Sequence, residues 1–549
     1  MSLDGQSRCE AILLGIWREL FDTDLIGAND DFFELGGDSL LAIRVAVRAR
    51  ERLEVDLPLS AIFEAPTVEN LAHVVSRLRG RRSSTLPPIP LPVSEKGGDQ
   101  IQLSFAQLNV IERAVRRFGS VRARPPHNIR ICVELSGSLD VPALESALGN
   151  VLRRHEALRT SVAFNGGTPS AVAVEIDGIE LHRHRIQSEQ LAIVLQGLAA
   201  QPFDLSCPPF IRAHLIQLES EKHVLLVLLD HFAGDAWSIA VLRNEVALGY
   251  DAYRRGVEPI LPALPIQYSD WARWERDAVQ GAGLEPSLCY WRQQLAGTTT
   301  SPELSLGTAS ERLERNDTAA TLGFEVFPDV VTGLDELARA EGVALYAVAL
   351  AVTMAVLANR TGKSDIGVRV PVANRRWTDT ENLIGCFANI VVIRAHVSHG
   401  ARFVDHLHDI HQIVLDAQEH SALPESLLTA TLSPESAQST LLPPHVFFDL
   451  SSVESPFALG DLRTIPLSVP AVDAKFVSTS IWLKRGLNGL QGTLLYRTAE
   501  LDERDAAAFL EEITHAFRRT VVAPRSTLAD IVGKRGFAAS PGPRWQARR

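Results

Sequence analysis

Apolar residues near the start of the chain recur at helical spacing. Ile12, Leu13, Ile16, Trp17, Leu20 and Phe21 form one stripe. A loop rich in Asp, Asn and Gly follows, and a second helix is expected from Asp38–Ser39, carrying Leu40, Leu41, Ile43 and Val47. Pro66 closes a segment, and Thr67 is placed to cap a last helix through Leu71, Val74 and Leu78. Together these predict a small all-α unit over residues 8–80. Residues 81–100 change character: several prolines, small polar residues and a glycine pair predict an extended linker. Beyond it the pattern alternates. The run 223–229 (HVLLVLL) reads as a buried strand, with similar runs at 370–372 and 389–393, while Val141–Arg154 and 344–358 read as helices. This predicts an α/β region over 101–530, long enough for an N-lobe (101–275) and a C-lobe (276–530). The tail 531–549 reads as disordered.

Composition narrows the classes. A chain of 549 residues suggests two or three domains. Its net charge of −12, without a basic stripe, argues against a nucleic-acid partner. Cys9, Cys132, Cys207, Cys289 and Cys386 are scattered and form no C-x-x-C pair, which argues against a disulfide framework or a structural zinc site and fits a reducing compartment. No apolar run approaches the roughly 20 residues of a membrane span, and MSLDGQSRCE lacks a signal-peptide pattern. The expectation is a cytoplasmic protein with no membrane partner.

Two segments carry candidate chemistry. In Asp31-Phe-Phe-Glu-Leu-Gly-Gly-Asp38-Ser39-Leu, two glycines allow a tight turn and a serine stands at a helix start, preceded by Asp38. Unpaired N–H groups and the positive dipole end suit a phosphate there, although Ser and Asp are also plain helix caps. The whole string resembles the 4′-phosphopantetheine attachment motif of peptidyl carrier proteins, a four-helix fold. That resemblance implies a covalent prosthetic arm on Ser39, installed by a phosphopantetheinyl transferase.

The second segment is Asp230-His231-Phe-Ala-Gly-Asp235-Ala-Trp237-Ser238, at the end of the predicted strand. A histidine at such a corner is either structural or catalytic. The segment is similar to the H-H-x-x-x-D-G signature of condensation domains, which have the two-lobed chloramphenicol-acetyltransferase-like fold. Five further blocks resemble that family's motifs in order: Ser104-Phe-Ala-Gln107; Arg154-His155-Glu-Ala-Leu-Arg159-Thr160; Tyr268-Ser-Asp270-Trp271; Ile384-Gly385-Cys-Phe387-Ala-Asn389; and Gly489-Leu-Gln-Gly492-Thr-Leu-Leu-Tyr496. The resemblance implies that His231 orients the acceptor amine or takes its proton, that Asp235 makes a structural ion pair, that Arg159 and Asn389 support the fold, and that no metal is needed. An imidazole, with an ordinary pKa near 6.5, suits such proton transfer. Proximity of two tethered substrates would supply much of the acceleration.

The chain departs from the pattern. Asp230 stands where the first histidine is expected, Ala236 replaces the glycine, and Asn109 stands for the opening motif's arginine. A carboxylate beside His231 would favour imidazolium or fix a tautomer. Asp230, Asp235 and Ser238 also fit D-x-x-x-x-D-x-x-S, which resembles heterocyclisation domains. That subfamily's later threonine and aspartate are matched here by Phe448 and Lys484, in the blocks His445-Val-Phe-Phe448-Asp449 and Ser480-Ile-Trp482-Leu-Lys484. The readings in play are therefore amide formation, ring formation, ester formation with a hydroxyl acceptor, and an inactive platform that docks partners. No adenylation domain is legible, so the carrier is expected to be loaded by a trans-acting adenylation enzyme and to act as donor. The acceptor would be a downstream carrier protein or a free nucleophile.

Overall fold

The computed structural model describes residues 3–37, 39–55, 57–78, 101–122, 128–165, 168–280, 284–296, 319–432, 446–451, 457–469, 479–486, 489–498 and 500–533. The predicted linker, the chain beyond Gly533, Asp38 and His445 lie outside the described residues.

Four helices form the first unit: α1 (Leu3–Phe21), α2 (Ser39–Leu53), α3 (Ser60–Glu64) and α4 (Val68–Leu78). Helix α1 begins ahead of the boundary expected at residue 8. Its stripe buries Leu13, Ile16 and Trp17 against Phe32, Val45, Leu71 and Val75. Trp17, Phe21 and Phe32 meet with ring centroids 5.2–6.3 Å apart. The Thr67 hydroxyl accepts the Asn70 N–H (3.2 Å) and caps α4. Gly36 sits at φ +92, a left-handed conformation that an L side chain resists, just before α2.

The N-lobe centres on a five-stranded sheet. Its chain contains α5 (Phe105–Phe118), β1 (Asn128–Ser136), α6 (Val141–Arg154), β2 (Thr160–Asn165), β3 (Thr168–Ala173), β4 (Leu181–Arg185), α7 (Leu191–Ala199), β5 (Ile211–Glu219), β6 (Lys222–Asp230), α8 (Ala236–Arg254) and α9 (Tyr268–Gln280). The C-lobe contains α10 (Glu285–Gln294), β7 (Ala319–Val326), α11 (Pro328–Ala340), α12 (Leu345–Thr361), β8 (Asp365–Val372), β9 (Asn389–His396), α13 (Phe403–Glu419), α14 (Glu425–Leu432), β10 (Phe447–Ser451), β11 (Arg463–Pro466), β12 (Ser480–Gly486), β13 (Gly489–Arg497), α15 (Glu503–Val522) and α16 (Leu528–Val532).

The strand orders are β11-β1-β6-β5-β4 and β7-β13-β12-β10-β8-β9, with β2–β3 a separate hairpin. Strand β6 is buried from His223 to Asp230, as a central strand covered on both faces must be. Helix α12 is buried all round from Ala347 to Ala358, which explains its apolar run, broken only by Thr353, whose hydroxyl donates to the Ala349 oxygen (2.8 Å).

Two features depart from the expected boundaries. Strand β11 comes from the C-lobe's stretch of chain but pairs with β1, Val133 opposite Pro466 and Ser136 opposite Arg463. Helix α16 reaches into the expected tail, because a Thr527–Asp530 capping box starts it and Leu528 and Ile531 are buried.

The helical unit rests on the C-lobe. Phe63 meets His411 at 4.9 Å between ring centroids, and Leu415 of α13 joins the core of the helical unit. Charged groups of α2 make a second contact, with residues 378–381. Arg48 donates to both Glu381 oxygens (2.7 and 3.0 Å), Arg44 donates to the same carboxylate (3.3 Å), and Glu51 accepts the Thr378 N–H (3.0 Å). Arg48 and Glu381 side chains are 8% and 9% exposed, so this ion pair is buried between the units.

Among the described residues no single helix is long and apolar enough to cross a membrane.

Candidate functional site

Strand β6 ends in a tight turn. Asp230 is fully buried. Its Oδ1 accepts the Phe232 N–H (2.8 Å), and its main-chain oxygen accepts the Ala233 N–H (2.9 Å). The turn presents His231, part-exposed, at the seam between the lobes. Its Nδ1 lies 3.6 Å from Sγ of Cys386, a residue of the segment before β9. Burial, reinforced by the negative charge of Asp235, pushes the Cys386 thiol well above its ordinary pKa, so His231 faces a neutral thiol.

Helix α8 then starts on a capping box. Asp235 Oδ1 accepts the Ser238 N–H (2.8 Å), and Ser238 Oγ accepts the Asp235 N–H (3.2 Å). The same Asp235 carboxylate binds across the lobes. Oδ1 accepts from Arg375 Nη2 (3.1 Å), and Oδ2 accepts the N–H groups of Phe387 (3.0 Å) and Ala388 (3.2 Å). Arg375 has no exposed side-chain surface and lies over the Phe387 ring at 4.0 Å. It also donates to the Leu383 oxygen (2.8 Å) and to the Thr380 oxygen. Asp235, a catalytic candidate on its motif position, is thus fully engaged as a cap and ion-pair partner, with no free lone pair aimed at a substrate.

Residues 375–388 therefore act as a clasp between the two lobes and the four-helix unit. Ser238 Oγ accepts the Gly385 N–H (3.1 Å), and Trp237 Nε1 donates to the Glu381 oxygen (2.9 Å). A Cβ at Gly385 would fall 2.1 Å from Tyr268 Cδ2, so only glycine lets the clasp lie this close. The Tyr268 hydroxyl donates to the Cys386 oxygen (2.7 Å) and meets Ser104 Oγ (2.8 Å), which ties the cap of α5 to the same segment.

The other predicted residues lie further out. Asn389 donates to the Ser421 and Leu423 oxygens (2.9 and 2.8 Å) and accepts the Glu425 N–H (3.1 Å), fixing the start of α14. Arg159 donates to the Val174 oxygen (3.1 Å) beside the β2–β3 hairpin. Ser39 is the first residue of α2, the helix whose Arg44 and Arg48 grip Glu381. No acidic side chain lies in the first turn of this 15-residue helix, so its N–H groups fit a phosphate ester at Ser39.

Sequence reasoning missed Arg375, Glu381 and Cys386. Arg375 and Glu381 lie outside every motif of the chain. Cys386 lies inside one, but nothing in the string marks it as a neighbour of His231.

Residues 122–533 match the family described as "Condensation domain", and residues 11–75 match "Phosphopantetheine attachment site". Malpibaldin synthetase of Mortierella alpina is 30% identical over 533 residues, covering 95% of this chain and 9% of that protein. Phosphinothricin tripeptide synthetase PhsB of Streptomyces viridochromogenes is 31% identical over 433 residues, covering 77% of this chain and 36% of that protein. This chain is thus similar to a minor part of each. Among solved structures, the X-domain from teicoplanin biosynthesis superposes with a TM-score of 0.68 at 23% identity, covering 81% of this chain and 99% of that one. The first condensation domain of the calcium-dependent antibiotic synthetase, in complex with a substrate analogue, gives 0.66 at 19%, covering 78% and 99%. At these identities the structural likeness speaks to the fold alone.

Proposed function

Since this chain belongs to the condensation-domain family of non-ribosomal peptide synthetases, with a carrier domain that is the site of 4′-phosphopantetheine attachment on a serine, we propose that Ser39 bears the arm and that this carrier is the donor for the condensation domain on its own chain. The observation that carries the reading is the buried contact of Arg44 and Arg48 with Glu381. It seats α2, which begins at Ser39, on the clasp that also holds Asp235 and meets His231.

The arm supplies an acyl group as a thioester. With the ring proton on Nδ1, which is turned to Cys386, His231 accepts at Nε2 the proton that the amine loses as it attacks the thioester, and the proton passes to the arm's sulfur as the C–S bond breaks, leaving amide and free thiol. Arg375 and Asp235 hold the turn and α8 in register, so that the imidazole is fixed against both lobes. An adenylation enzyme in trans, a phosphopantetheinyl transferase and an acceptor, either a downstream carrier or a free nucleophile, complete the system.

Ring formation is the second reading, because Asp230, Asp235 and Ser238 keep its spacing. Asp235 and Ser238 are already engaged with the cap and Arg375, and Phe448 is fully buried and has no proton to exchange.

Intact-mass spectrometry tests this. The chain is converted to its holo form, charged with a model aminoacyl group and mixed with acceptor carriers bearing cysteine, serine or glycine. The expected product is donor plus acceptor, lost in His231→Ala, and Ser39→Ala should accept no arm. A product lighter by one water, formed only with cysteine or serine, would establish ring formation instead. Absence of any product would leave a docking platform.

A further inference from the structure

We propose that Arg113 is a substrate-recognition residue that binds a carboxylate carried by the donor acyl group or by a free amino-acid acceptor. This deepens the condensation reading and rests on it.

Arg113 projects from α5 of the N-lobe towards α14 of the C-lobe, so it stands between the lobes. Its Nη2 is 3.8 Å from Glu425 Oε2, too far for a hydrogen bond. Glu425 is already held by Arg369 through its other oxygen, and both of those side chains are buried (5% and 6% exposed). Two guanidinium groups therefore share one carboxylate, and the local charge is positive by one.

A guanidinium has five N–H donors. Among the described residues Arg113 makes no hydrogen bond, and its Nε is buried without a partner. Arg369 and Arg375 also leave Nε unpaired but donate through their other nitrogens, so Arg113 stands apart in having its whole fork available to an acceptor. Burial lowers the Arg113 pKa from its ordinary value, with the Arg369 charge adding to the effect. Yet 32% of the side chain still meets solvent. The side chain is thus buried at Nε and open to solvent over the rest, between α5 and α14. Asn109, on the same helix face one turn earlier, stands where the resemblance expects an arginine, so this face of α5 keeps a guanidinium, one turn displaced.

The position favours a carboxylate over the arm's phosphate. Arg113 faces Glu425, whose N–H is accepted by Asn389 (3.1 Å), three residues beyond Cys386, and the Cys386 sulfur is 3.6 Å from His231. The phosphate is bonded at the Ser39 end of the arm, and the thioester is at the other end. The anion that comes near His231 therefore belongs to a substrate, and a planar carboxylate matches the guanidinium fork.

The test uses the full holo chain in two arms, with initial rates of amide formation read by mass spectrometry. One arm compares aspartyl with asparaginyl donors at a fixed acceptor. The other compares glycine with glycinamide as free acceptor at a fixed donor. Wild-type protein should prefer the carboxylate in one arm by roughly 10- to 100-fold in kcat/KM, the range of a hydrogen bond to a charged group. Arg113→Gln should abolish that preference and Arg113→Lys should keep part of it. The arm that responds identifies the source. Transfer without a carboxylate preference in either arm, or a preference that survives Arg113→Gln, overturns this inference alone. No transfer with any pair overturns the condensation reading and this inference with it.

Discussion

Replacing Glu381 with alanine should release the carrier without unfolding either domain. The wild-type carboxylate accepts three guanidinium contacts, at 2.7, 3.0 and 3.3 Å, in a contact less than a tenth exposed at Arg48 and Glu381. Within a folding core, removing one partner of a buried pair costs about 3–5 kcal/mol, because the other charge stays buried. Here the carrier can lift away and hydrate both arginines, so the loss falls on docking and is smaller. Hydrogen bonds to charged groups contribute about 1.5–3 kcal/mol. A net loss of about 2–3 kcal/mol would shift the docked-to-free ratio by roughly 30- to 150-fold. The Glu381 main-chain oxygen still accepts from Trp237, so the clasp keeps its shape. Single-molecule energy transfer between dyes on Glu69 of the carrier and Glu336 of the C-lobe, both exposed, reads the two populations. Arg48→Ala and the double variant complete a mutant cycle. An unchanged distribution in Glu381→Ala, or a coupling near zero in the cycle, would refute the assignment of docking to this pair.

Asp235→Ala should destabilise the condensation domain by about 3–5 kcal/mol, since it strands the buried Arg375 and removes the cap of α8; chemical denaturation checks this. Glu275 is buried with its carboxyl pushed up to about 7 by burial, while its Oε2 accepts the Phe105 N–H (3.0 Å). The native state holds this proton more tightly than the unfolded chain, so stability should fall as pH rises from about 4.5 to 7 and then level off. Glu275→Gln should remove that slope, on the order of a few kcal/mol, in unfolding curves taken across the range. His214 is held down at about 4 by burial, with His182, His184 and Arg212 adding to the effect. Its contribution is complete above about pH 6.5 and should be lost as pH falls towards 4, so His214→Leu should flatten the acid limb of the same curves.

What could be read from the sequence was local. The helix at Val141–Arg154 and the strand through 223–229 follow from apolar spacing alone, and a helix start at Ser39 follows from glycines before an apolar stripe. What could not be read was pairwise and distant. Arg375 meets Asp235 across 140 positions and Arg48 meets Glu381 across 333, and nothing near any of these residues signals its partner. The four residues of β11 are too few to show a period, and only the open edge of β1 makes them a strand. Phe387 and Gly385 lie in a recognisable block, but their reason for being there is a ring and a carboxylate supplied by other parts of the chain.

The loan of β11 to the N-lobe sheet has a consequence for how the protein is made. Strand β1 is synthesised about 330 residues before the strand that covers its edge. At roughly 5–20 residues per second, that edge waits some 15–65 seconds on the ribosome with unpaired N–H and C=O groups. Open edges invite pairing with other chains. The nascent N-lobe is therefore vulnerable to aggregation until Arg463–Pro466 emerges, and slowing translation after β1 should lower soluble yield more than the same delay placed after β11.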